Sequence, residues 1–474
     1  MGEFTLLTTD ACLFALLAVA IVYCLQARRH EHLRAPWREV WRRPVAVGAS
    51  VVLGAFMLVA VADSIHFESR AGSGDGDVLS ALDIALRPLR TGSETTYSAP
   101  LAAYAYSRES VVDESGKLTR IYPRLVHGGA HLADPGREHG ADVARRAAAG
   151  AASGLLGGLA LSTLCVLAVA RRRNRAPVAA ARLLLAGRAG FPWRSLLGVS
   201  TALLIVIGIC AALAPHYHVF GTDKVGNDVL YQALKSVRTG ILIGLLTTLI
   251  SLPFALALGI AAGYFRGPID DAVQYLYTTL SSIPGVLLIA AAALMLDVYM
   301  TRHAADFDML AARADLRLLA LCAILGITSW TSLCRLLRAE ALKLREIEFV
   351  VAAQALGVRS TTILRRHLLP NVMHIVMITT VLDFSGLVLA EAALTYIDIG
   401  VDPSMDSWGN MINGARLELA REPAVWWSLA AAMSFMFALV LAANLFADAV
   451  RDAFDPRLRQ FGADRDLPAA TRES

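Results

Sequence analysis

The sequence predicts an all-α protein, a polytopic transmembrane helical bundle of about nine spans, from three observations. Of its 474 residues, 56% are hydrophobic, and the mean hydropathy of +0.53 is too high for a soluble globular chain. Long apolar runs without charge recur along the chain, and about 20 such residues span the hydrocarbon core of a bilayer. Arginine and lysine are concentrated in alternate connections between these runs.

The apolar runs define the predicted spans. They cover residues about 11–27, 45–62, 147–170, 195–215, 239–265, 272–296, 318–334, 372–392 and 424–447. Basic side chains crowd the first, third and seventh connections, and the positive-inside rule assigns such connections to the cytoplasm. The segment before the first span has Glu3 and Asp10 but no Lys or Arg, so we expect the N-terminus outside and the C-terminus inside. We interpret the arginine clusters as topology signals rather than as a nucleic-acid surface.

The six cysteines fall in or at the ends of apolar runs. None lies in an outer connection, where a disulfide framework would form, and no Cys-x-x-Cys occurs. They are therefore interpreted as small packing residues.

The outer connection at about 63–146 is the one sizeable hydrophilic segment. Its positive and negative charges nearly balance. Such a segment folds as a small cap or lies across the membrane surface, and the sequence leaves both alternatives open.

Enzyme motifs are absent from the sequence. It has no Gly-x-x-x-x-Gly-Lys-Ser/Thr, so no P-loop binds ATP, and it has neither His-Glu-x-x-His nor Gly-x-Ser-x-Gly. His127, His131 and His139 come closest to a metal-ligand spacing, but we interpret them as ordinary residues of a solvated loop. We expect a chain that is not an enzyme and that binds no cofactor or metal of its own.

The inner connection 335–371 has a different character. Phe349, Ala352, Ala353 and Leu356 follow the i, i+3, i+4, i+7 rule and form one face of a short helix, whose alanines leave room for a partner. Gly357 suits the left-handed position that ends this helix, Ser360 is expected to cap the next turn, and Pro370 to open the following span. The helix either rests on lipid headgroups or docks into a cytoplasmic partner, and the residues alone favour neither.

This connection resembles the EAA loop of the inner-membrane permease subunits of binding-protein-dependent ABC importers. That loop reads Glu-Ala-Ala-x-x-x-Gly and, nine residues later, Ile-x-Leu-Pro. Here Val351-Ala352-Ala353, Gly357 and His367-Leu368-Leu369-Pro370 fall at that spacing. The ending Arg366–Asn371 is similar to the C-type subunit of the dipeptide/oligopeptide branch.

Further segments resemble the same branch, so that the resemblance covers about 220–457. They are 220–230, 394–403, 407–411 and 452–457. Two positions depart from the pattern. Val351 replaces the motif glutamate, for which Glu348 is a candidate substitute one turn earlier, and Asn227 replaces the usual arginine.

The resemblance implies a type I ABC importer permease core and four regions. These are a membrane region at 1–219 with added spans, a pre-core segment at 220–236, the transmembrane domain at 237–449, and a cytoplasmic tail at 450–474. Within the first region, the span 11–27 is an addition to the usual core and 147–215 is an inserted hairpin of two spans.

The resemblance also implies partners and sites. The expected ATPase-coupling residues are Glu348, Val351, Ala352, Ala353, Gly357, His367, Leu369 and Pro370. ATP and Mg²⁺ would be bound by a separate ATPase, whose closure pushes this loop. A second permease subunit, membrane lipid and an extracytoplasmic binding protein would complete the assembly in a bacterial inner membrane, the last docking at 220–236 and 394–424. No nucleic-acid partner is expected.

Asp383 and Glu391 are candidate pore residues, because carboxylates inside a membrane are costly and face a cavity or a partner. Asp383 would meet a substrate amino group or form a hydrogen bond with a neighbouring helix. Peptides are the expected cargo, although related systems carry nickel chelates, sugars and peptide antibiotics.

Two other classes of function stay open. An ion-coupled secondary carrier would need no ATPase, but it predicts several intramembrane carboxylates and repeated halves. A membrane scaffold would use the inner connection to recruit another cytoplasmic protein.

Overall fold

The computed structural model describes residues 4–454, except residues 6, 30, 69–77, 113–117, 188–189 and 304–309. Residues 455–474, most of the predicted tail, therefore lie outside the described part. The chain divides into two compact units. The first unit comprises Met1–Leu6, Trp41–Ile241 and Pro403–Ala442, and the second comprises Leu7–Val40, Leu242–Asp402 and Ala443–Ser474.

Helices dominate the described residues, as predicted. In chain order they are α1 Thr8–Arg29, α2 Glu31–Val40, α3 Pro44–Asp63, α4 Ala81–Ala85, α5 Arg87–Thr91, α6 Pro135–Arg173, α7 Pro177–Leu185, α8 Trp193–Leu213, α9 Val229–Phe265, α10 Pro268–Ser282, α11 Gly285–Arg302, α12 Leu310–Ser329, α13 Thr331–Arg345, α14 Glu348–Ala355, α15 Ser360–Ile363, α16 Leu369–Tyr396, α17 Trp408–Glu418 and α18 Trp427–Phe454. Five short strands, absent from the all-α prediction, are β1 Phe4–Thr5, β2 His66–Glu68, β3 Val78–Ser80, β4 Glu109–Val112 and β5 Leu118–Ile121.

Nine helical runs in the described part of the chain are long and apolar enough to cross a membrane, which confirms the predicted number. They are Thr8–Gln26, Pro44–Asp63, Pro135–Arg173, Trp193–Leu213, Val229–Phe265, Gly285–Arg302, Ala312–Arg345, Ser360–Tyr396 and Trp427–Phe454. Several exceed the apolar run that predicts them. The 39 residues of Pro135–Arg173 extend over about 58 Å, roughly twice the hydrocarbon core.

The sixth predicted span, 272–296, is wrong in its bounds. The structure breaks this stretch between α10 and α11, and only Gly285–Arg302 qualifies as a span. Pro284 causes the break, because proline disfavours helical geometry in the residue before it, and Ile283 is extended with ψ of 130°. α10 instead buries Val273 and Tyr277 in the core of the second unit.

In the first unit, the two spans predicted as an inserted hairpin pack backbone against backbone. Gly150, Gly154 and Gly158 recur every four residues along α6 and face α8. A Cβ at Gly154 would overlap the carbonyl oxygen of Leu204, and one at Gly150 would overlap that of Gly208. Small residues therefore permit the close helix approach that is common in membranes.

The outer connection at 63–146 is a folded cap, which selects the first of the two alternatives. We define the cap as the described residues of 64–134. β2 pairs antiparallel with β3 and also with β1 at the start of the chain. β4 and β5 form a second antiparallel pair.

Glu94 joins the cap to the segment 214–228. Its carboxylate accepts hydrogen bonds from the backbone N–H groups of Val126, His127 and Gly128 at 2.8, 2.8 and 2.9 Å. His218 lies between two carboxylates, with Nε2 at 3.4 Å from Glu94 and Nδ1 at 2.7 Å from Asp228. Backbone hydrogen bonds between the two segments, including Leu101 N–H to the His218 carbonyl at 2.8 Å, complete the attachment.

The same hydrogen bonds determine the charges of His218 and Glu94. Burial alone would lower the pKa of His218, but the hydrogen bonds to Asp228 and Glu94 outweigh it and raise this pKa to about 9. Burial alone would raise the pKa of Glu94, but the hydrogen bonds from His218 and the three backbone N–H groups lower it to about 2. An imidazolium between two carboxylates therefore joins the cap to the segment 214–228.

A second attachment links the cap to α9. Asp83 in α4 accepts a hydrogen bond from the Tyr231 hydroxyl at 2.6 Å, and Lys235 Nζ lies 3.1 Å from the same carboxylate. Ser80 caps α4, because its side chain accepts from the Asp83 N–H while Asp83 accepts from the Ser80 N–H. The Asp83 carboxylate thus has two roles, because it stabilises the N-terminus of α4 and also binds side chains of α9.

The histidines considered as metal ligands have other partners. His131 Nε2 lies 2.8 Å from Asp142, and His139 Nε2 lies 2.6 Å from the Leu101 carbonyl. His127 lies 3.4 Å from the Thr91 carbonyl. Each ring is thus used to hold the cap.

The second unit contains a large apolar cluster, which we call the core of the second unit. Its buried residues come from α9, α10, α13, α14, α15 and α16, together with Trp330 and Leu368. Gly259 and Gly263 bring α9 close to α13, since a Cβ there would lie 2.8 Å from the Cys334 carbonyl oxygen and 2.6 Å from Ala341 Cβ. Cys334 and Cys322 are fully buried, in line with a packing role, whereas Cys24 is exposed.

We expect Gly154→Ala to destabilise the chain by about 1–3 kcal/mol, because the new methyl group must push α6 and α8 apart. Gly157→Ala is the matched control on the same helix, since its Cβ would meet only Leu204 Cδ1, at 3.8 Å. Thermal denaturation of the purified full-length chain in detergent measures both. Equal melting temperatures for the two variants would contradict close packing at Gly154.

We expect the stability of the cap to fall as the pH rises from about 6.5 through about 9. Because the pKa of His218 is raised on folding, its contribution is fully present below the unfolded value of 6.5 and is lost through the folded value of about 9. The loss is on the order of 3 kcal/mol. The melting temperature should fall with pH less steeply in His218→Gln than in the parent chain. An equally steep fall in the variant would rule out His218 as the source of the pH dependence.

Candidate functional site

The connection between α13 and α16 has the predicted form of a short helix, a glycine turn and a second helical segment. Two residues separate the end of α13 at Arg345 from the start of α14 at Glu348. Gly357 ends it with φ of +74°, a left-handed conformation that only glycine adopts without steric cost. α15 then continues through a π-helical turn, Leu364–Leu368, into α16.

Two local predictions about this connection have different outcomes. Pro370 lies in the first turn of α16, as predicted. The expectation that Ser360 caps the next turn is wrong, because Arg359 occupies the N-cap position and Ser360 is already helical. The chain stays extended through Arg359, with ψ of 136°, and the helix starts at Ser360, one residue earlier than a Ser360 cap requires.

α14 divides its apolar residues between two surfaces. Val350 and Ala353 are buried in the core of the second unit, at 0% and 8% exposure. Phe349, Ala352 and Leu356 are exposed, Leu356 at 83%. The predicted face is therefore correct for three residues, whereas Ala353 faces inward. Of the two alanines on the predicted face, Ala352 is the one that is accessible to an approaching partner.

The exposed apolar residues form what we call the coupling surface, namely Phe349, Val351, Ala352, Leu356 and Val358. Exposed charged residues border it in sequence: Glu348, Arg359, Arg365 and Arg366. Val351 is 48% exposed, so an apolar side chain stands where the motif has a carboxylate. An apolar patch with a polar rim is the usual composition of a protein interface.

Other motif residues hold the loop in place. The His367 ring packs on Phe349, with 5.9 Å between ring centroids. Leu368 is fully buried and Leu369 packs against the same core. His367, Leu369 and Pro370 thus connect the short helix to α16 instead of forming the exposed patch.

Polar contacts that the sequence did not single out fix α13 and the residue after it to the end of α9, the start of α10 and the turn between them. The Arg338 guanidinium bonds both oxygens of Asp270, at 2.5 and 2.7 Å. Arg345 donates to the Tyr264 carbonyl at 2.7 Å, and Arg266 pairs with Glu346 at 2.5 Å. These pairs lie about 70 to 80 residues apart in sequence, so no local pattern reveals them.

The two candidate pore carboxylates occupy different environments. Asp383 is exposed on α16 and has no hydrogen bond or ion pair with any residue in the described part of the chain. Glu391 is 1% exposed and accepts a hydrogen bond from Thr395 at 2.9 Å. Glu391 is therefore enclosed in this conformation, and its place in the pore stays a prediction.

The segment 220–236, where docking of the binding protein is predicted, forms hydrogen bonds with the cap. Thr222 and Asp228 are buried, and the Thr222 N–H donates to the Ser98 carbonyl at 3.1 Å. Only the tip of the turn, Lys224, Val225 and Asn227, remains exposed. Hydrogen bonds to the cap satisfy buried backbone groups of this segment, such as the N–H of Thr222, which would otherwise lack a partner.

The first-unit part of the segment 394–424 combines buried anchors with an exposed edge. Ser407 caps α17 by accepting from the Asn410 N–H at 3.0 Å, and Trp408 is buried and donates to the Ala233 carbonyl at 3.1 Å. The following exposed side chains are Arg416, Leu417, Leu419, Arg421 and Trp426. The Ser-Trp-Gly motif thus positions α17, and the residues after it provide accessible surface.

Comparison with known proteins supports the resemblance independently. Residues 255–460 match the family described as binding-protein-dependent transport system inner membrane component. The chain is 32% identical over 241 residues to a Brucella suis biovar 1 protein provisionally named a peptide permease, covering 51% of this chain and 73% of that protein.

Two further relatives have assigned transport names. The dipeptide transport system permease protein DppC of Lactococcus lactis is 29% identical, over 51% of this chain and 64% of its own. The oligopeptide transport system permease protein OppC of Bacillus subtilis is 27% identical, over 51% of this chain and 73% of its own. The chain therefore belongs to the family of inner membrane components of binding-protein-dependent transport systems.

Proposed function

We propose that this chain is a membrane-spanning permease subunit of an ATP-driven importer that carries peptides across the bacterial inner membrane. A separate ATPase would bind the coupling surface and supply the energy, with ATP and Mg²⁺ held by that ATPase. The observation that carries the proposal is the coupling surface itself, an exposed apolar patch on a loop that is otherwise fixed by a buried core. The names of the relatives favour peptides as cargo.

The surroundings of the loop suit the transmission of force. Val350 and Ala353 anchor α14 in the core, while Arg338 and Arg345 fix α13 to the start of α10 and the end of α9. α14 therefore moves only together with the helices that it joins, because a close-packed interior transmits displacement with little loss. Closure of an ATPase pair beneath the loop would tilt α13 and α16 as one body.

We propose that Glu348 supplies the charged contact that Val351 cannot make. Both residues are exposed, and Glu348 lies three residues before Val351, so both are on neighbouring turns of α14. The carboxylate of Glu348 also lies at the helix N-terminus, where the backbone N–H groups favour negative charge.

We propose that the cap and the N-terminus face the extracytoplasmic side. The pairing of β1 with β2 supports a common side for both. The arginine-rich connection between α6 and α8 lies at the other end of α6, where the positive-inside rule predicts the cytoplasm. The binding protein would then approach the exposed edge at 416–426 and the tip at 224–227, and a second permease subunit would complete the pathway.

Asp383 is the residue that we propose for contact with the amino group of a peptide. Its carboxylate is exposed on a span and has no partner in the described part of the chain. A carboxylate in a membrane is stabilised by a cationic ligand, and a free peptide N-terminus provides one.

We expect Leu356→Asp to weaken capture of the ATPase at least tenfold, about 1.4 kcal/mol, because it places a charge in the coupling surface. The side chain is 83% exposed, so folding of the chain should not change. Co-purification of the ATPase and ATP-driven uptake in vesicles measure the effect, and Glu348→Gln should also weaken capture.

Leu417→Asp is the matched control for ATPase capture alone, since this leucine is 71% exposed on α17, at the edge proposed for the binding protein. Full ATPase capture by Leu356→Asp would remove the coupling surface from the interface. Uptake driven by a proton gradient without ATP would favour a secondary carrier, and capture without any uptake would favour a scaffold.

We expect Asp383→Asn to lower uptake of peptides with a free N-terminus by about tenfold while ATPase capture stays unchanged. N-acetylated peptides should be transported equally by both forms, because they lack the ammonium group. Asp271→Asn, at an exposed carboxylate of α10, is the control. Unchanged uptake in Asp383→Asn would exclude this residue from the pathway.

A further inference from the structure

The connection between α6 and α8 concentrates positive charge to an unusual degree. No Asp or Glu occurs between Asp142 and Asp223, and seven arginines fall within 171–194. Six of them belong to the described part of the chain, and all six are exposed: Arg171, Arg172, Arg173, Arg175, Arg182 and Arg194. Local neutralisation by acidic neighbours in sequence is therefore impossible.

Most of these arginines also lack partners elsewhere. Among the residues that the structure describes, none forms an ion pair with Arg171, Arg172, Arg175, Arg182 or Arg194. A topology signal needs only the charges. An array of exposed guanidinium groups on a folded surface additionally provides a binding site for anions.

The surface that holds them is folded. α7 packs through Ala180 and Leu184, which are 1% and 2% exposed, against Val169, Ala170 and Trp193. The short helix thus closes the end of the α6–α8 hairpin, and the arginines project from a defined scaffold.

An apolar surface leads directly to the arginines. Leu164, Leu167 and Arg171 are spaced i, i+3, i+7 and so lie on one face of α6, where the two leucines are 65% and 46% exposed. Trp193, held by an edge-on contact with Phe191 at 5.0 Å, lies at the start of α8, and tryptophan is enriched at the level of lipid headgroups.

We infer that this end of the hairpin binds anionic phospholipid, with an acyl chain along Leu164 and Leu167. The phosphate would lie on Arg171, Arg172, Arg175, Arg182 and Arg194. An anionic lipid presents a phosphate and a hydrocarbon chain joined end to end, which matches the succession of arginine and leucine on one helix face. A soluble acidic protein would match the arginines but leave the leucines uncovered. The inference does not depend on the proposed transport function.

The test is native mass spectrometry of the purified full-length chain in micelles that contain equal amounts of phosphatidylglycerol and phosphatidylcholine with the same acyl chains. We expect phosphatidylglycerol to be retained at least about tenfold more, because each arginine near an anionic headgroup strengthens binding severalfold. The triple variant Arg171→Gln, Arg175→Gln, Arg182→Gln should lose this preference, and the corresponding triple Lys variant should keep most of it.

The matched control removes three exposed arginines from the cap, Arg108, Arg120 and Arg137, by substitution with Gln. It should leave the preference unchanged. Equal retention of the two lipids by the parent chain overturns the inference without recourse to any variant. Three other results would also overturn the inference. The preference could survive the triple Gln substitution, the control variant could lose it equally, or inorganic phosphate could displace the lipid.

Discussion

The hydrocarbon core of a bilayer holds no water that could form hydrogen bonds with the polar groups of a protein backbone. Every backbone N–H and C=O group at that depth must find its partner in the chain, so the spans are helices and have few alternatives. Variation is left to the places where helices meet and to the connections outside the hydrocarbon. The coupling surface, the cap and the arginine-rich turn all lie in such connections.

Close approach of helices recurs in both units, with small residues at the contacts. In the first unit, Gly150 and Gly154 bring α6 against α8. In the second, Gly259 and Gly263 do the same for α9 and α13. Apolar side chains gain little from association in lipid, and close backbone packing replaces that driving force. Helix pairs packed in this way move as rigid bodies, which suits a loop that must carry a displacement into the spans.

The cap shows how buried charge is accommodated where the chain leaves the apolar region. His218 between Glu94 and Asp228, and Lys235 beside Asp83, are each paired within 4 Å. Removing one partner would leave a buried charge uncompensated, so these groups fix which segments of the first unit meet. The cap is thereby attached to the segment 214–228.

How far the sequence determines this protein depends on the range of the interactions involved. The nine spans, Gly357 at φ of +74° and Pro370 in the first turn of α16 follow from hydropathy and local backbone preference, and all three are present. The break at Ile283–Pro284 was within reach of the same local rules, but the apolar run concealed it. Ser360 lost its expected capping role through a shift of one residue.

Packing between distant segments establishes which side of α14 is buried, that Glu391 is enclosed while Asp383 is exposed, and that Thr222 and Asp228 are buried. The membrane class, the number of spans and the position of the coupling loop can instead be predicted from the amino-acid sequence. These properties depend on residues a few positions apart, which share a helix turn or an apolar run. The pairs Arg338–Asp270 and Glu94–His218 join residues 68 and 124 positions apart, and contacts at such separations exist only once the helices have packed.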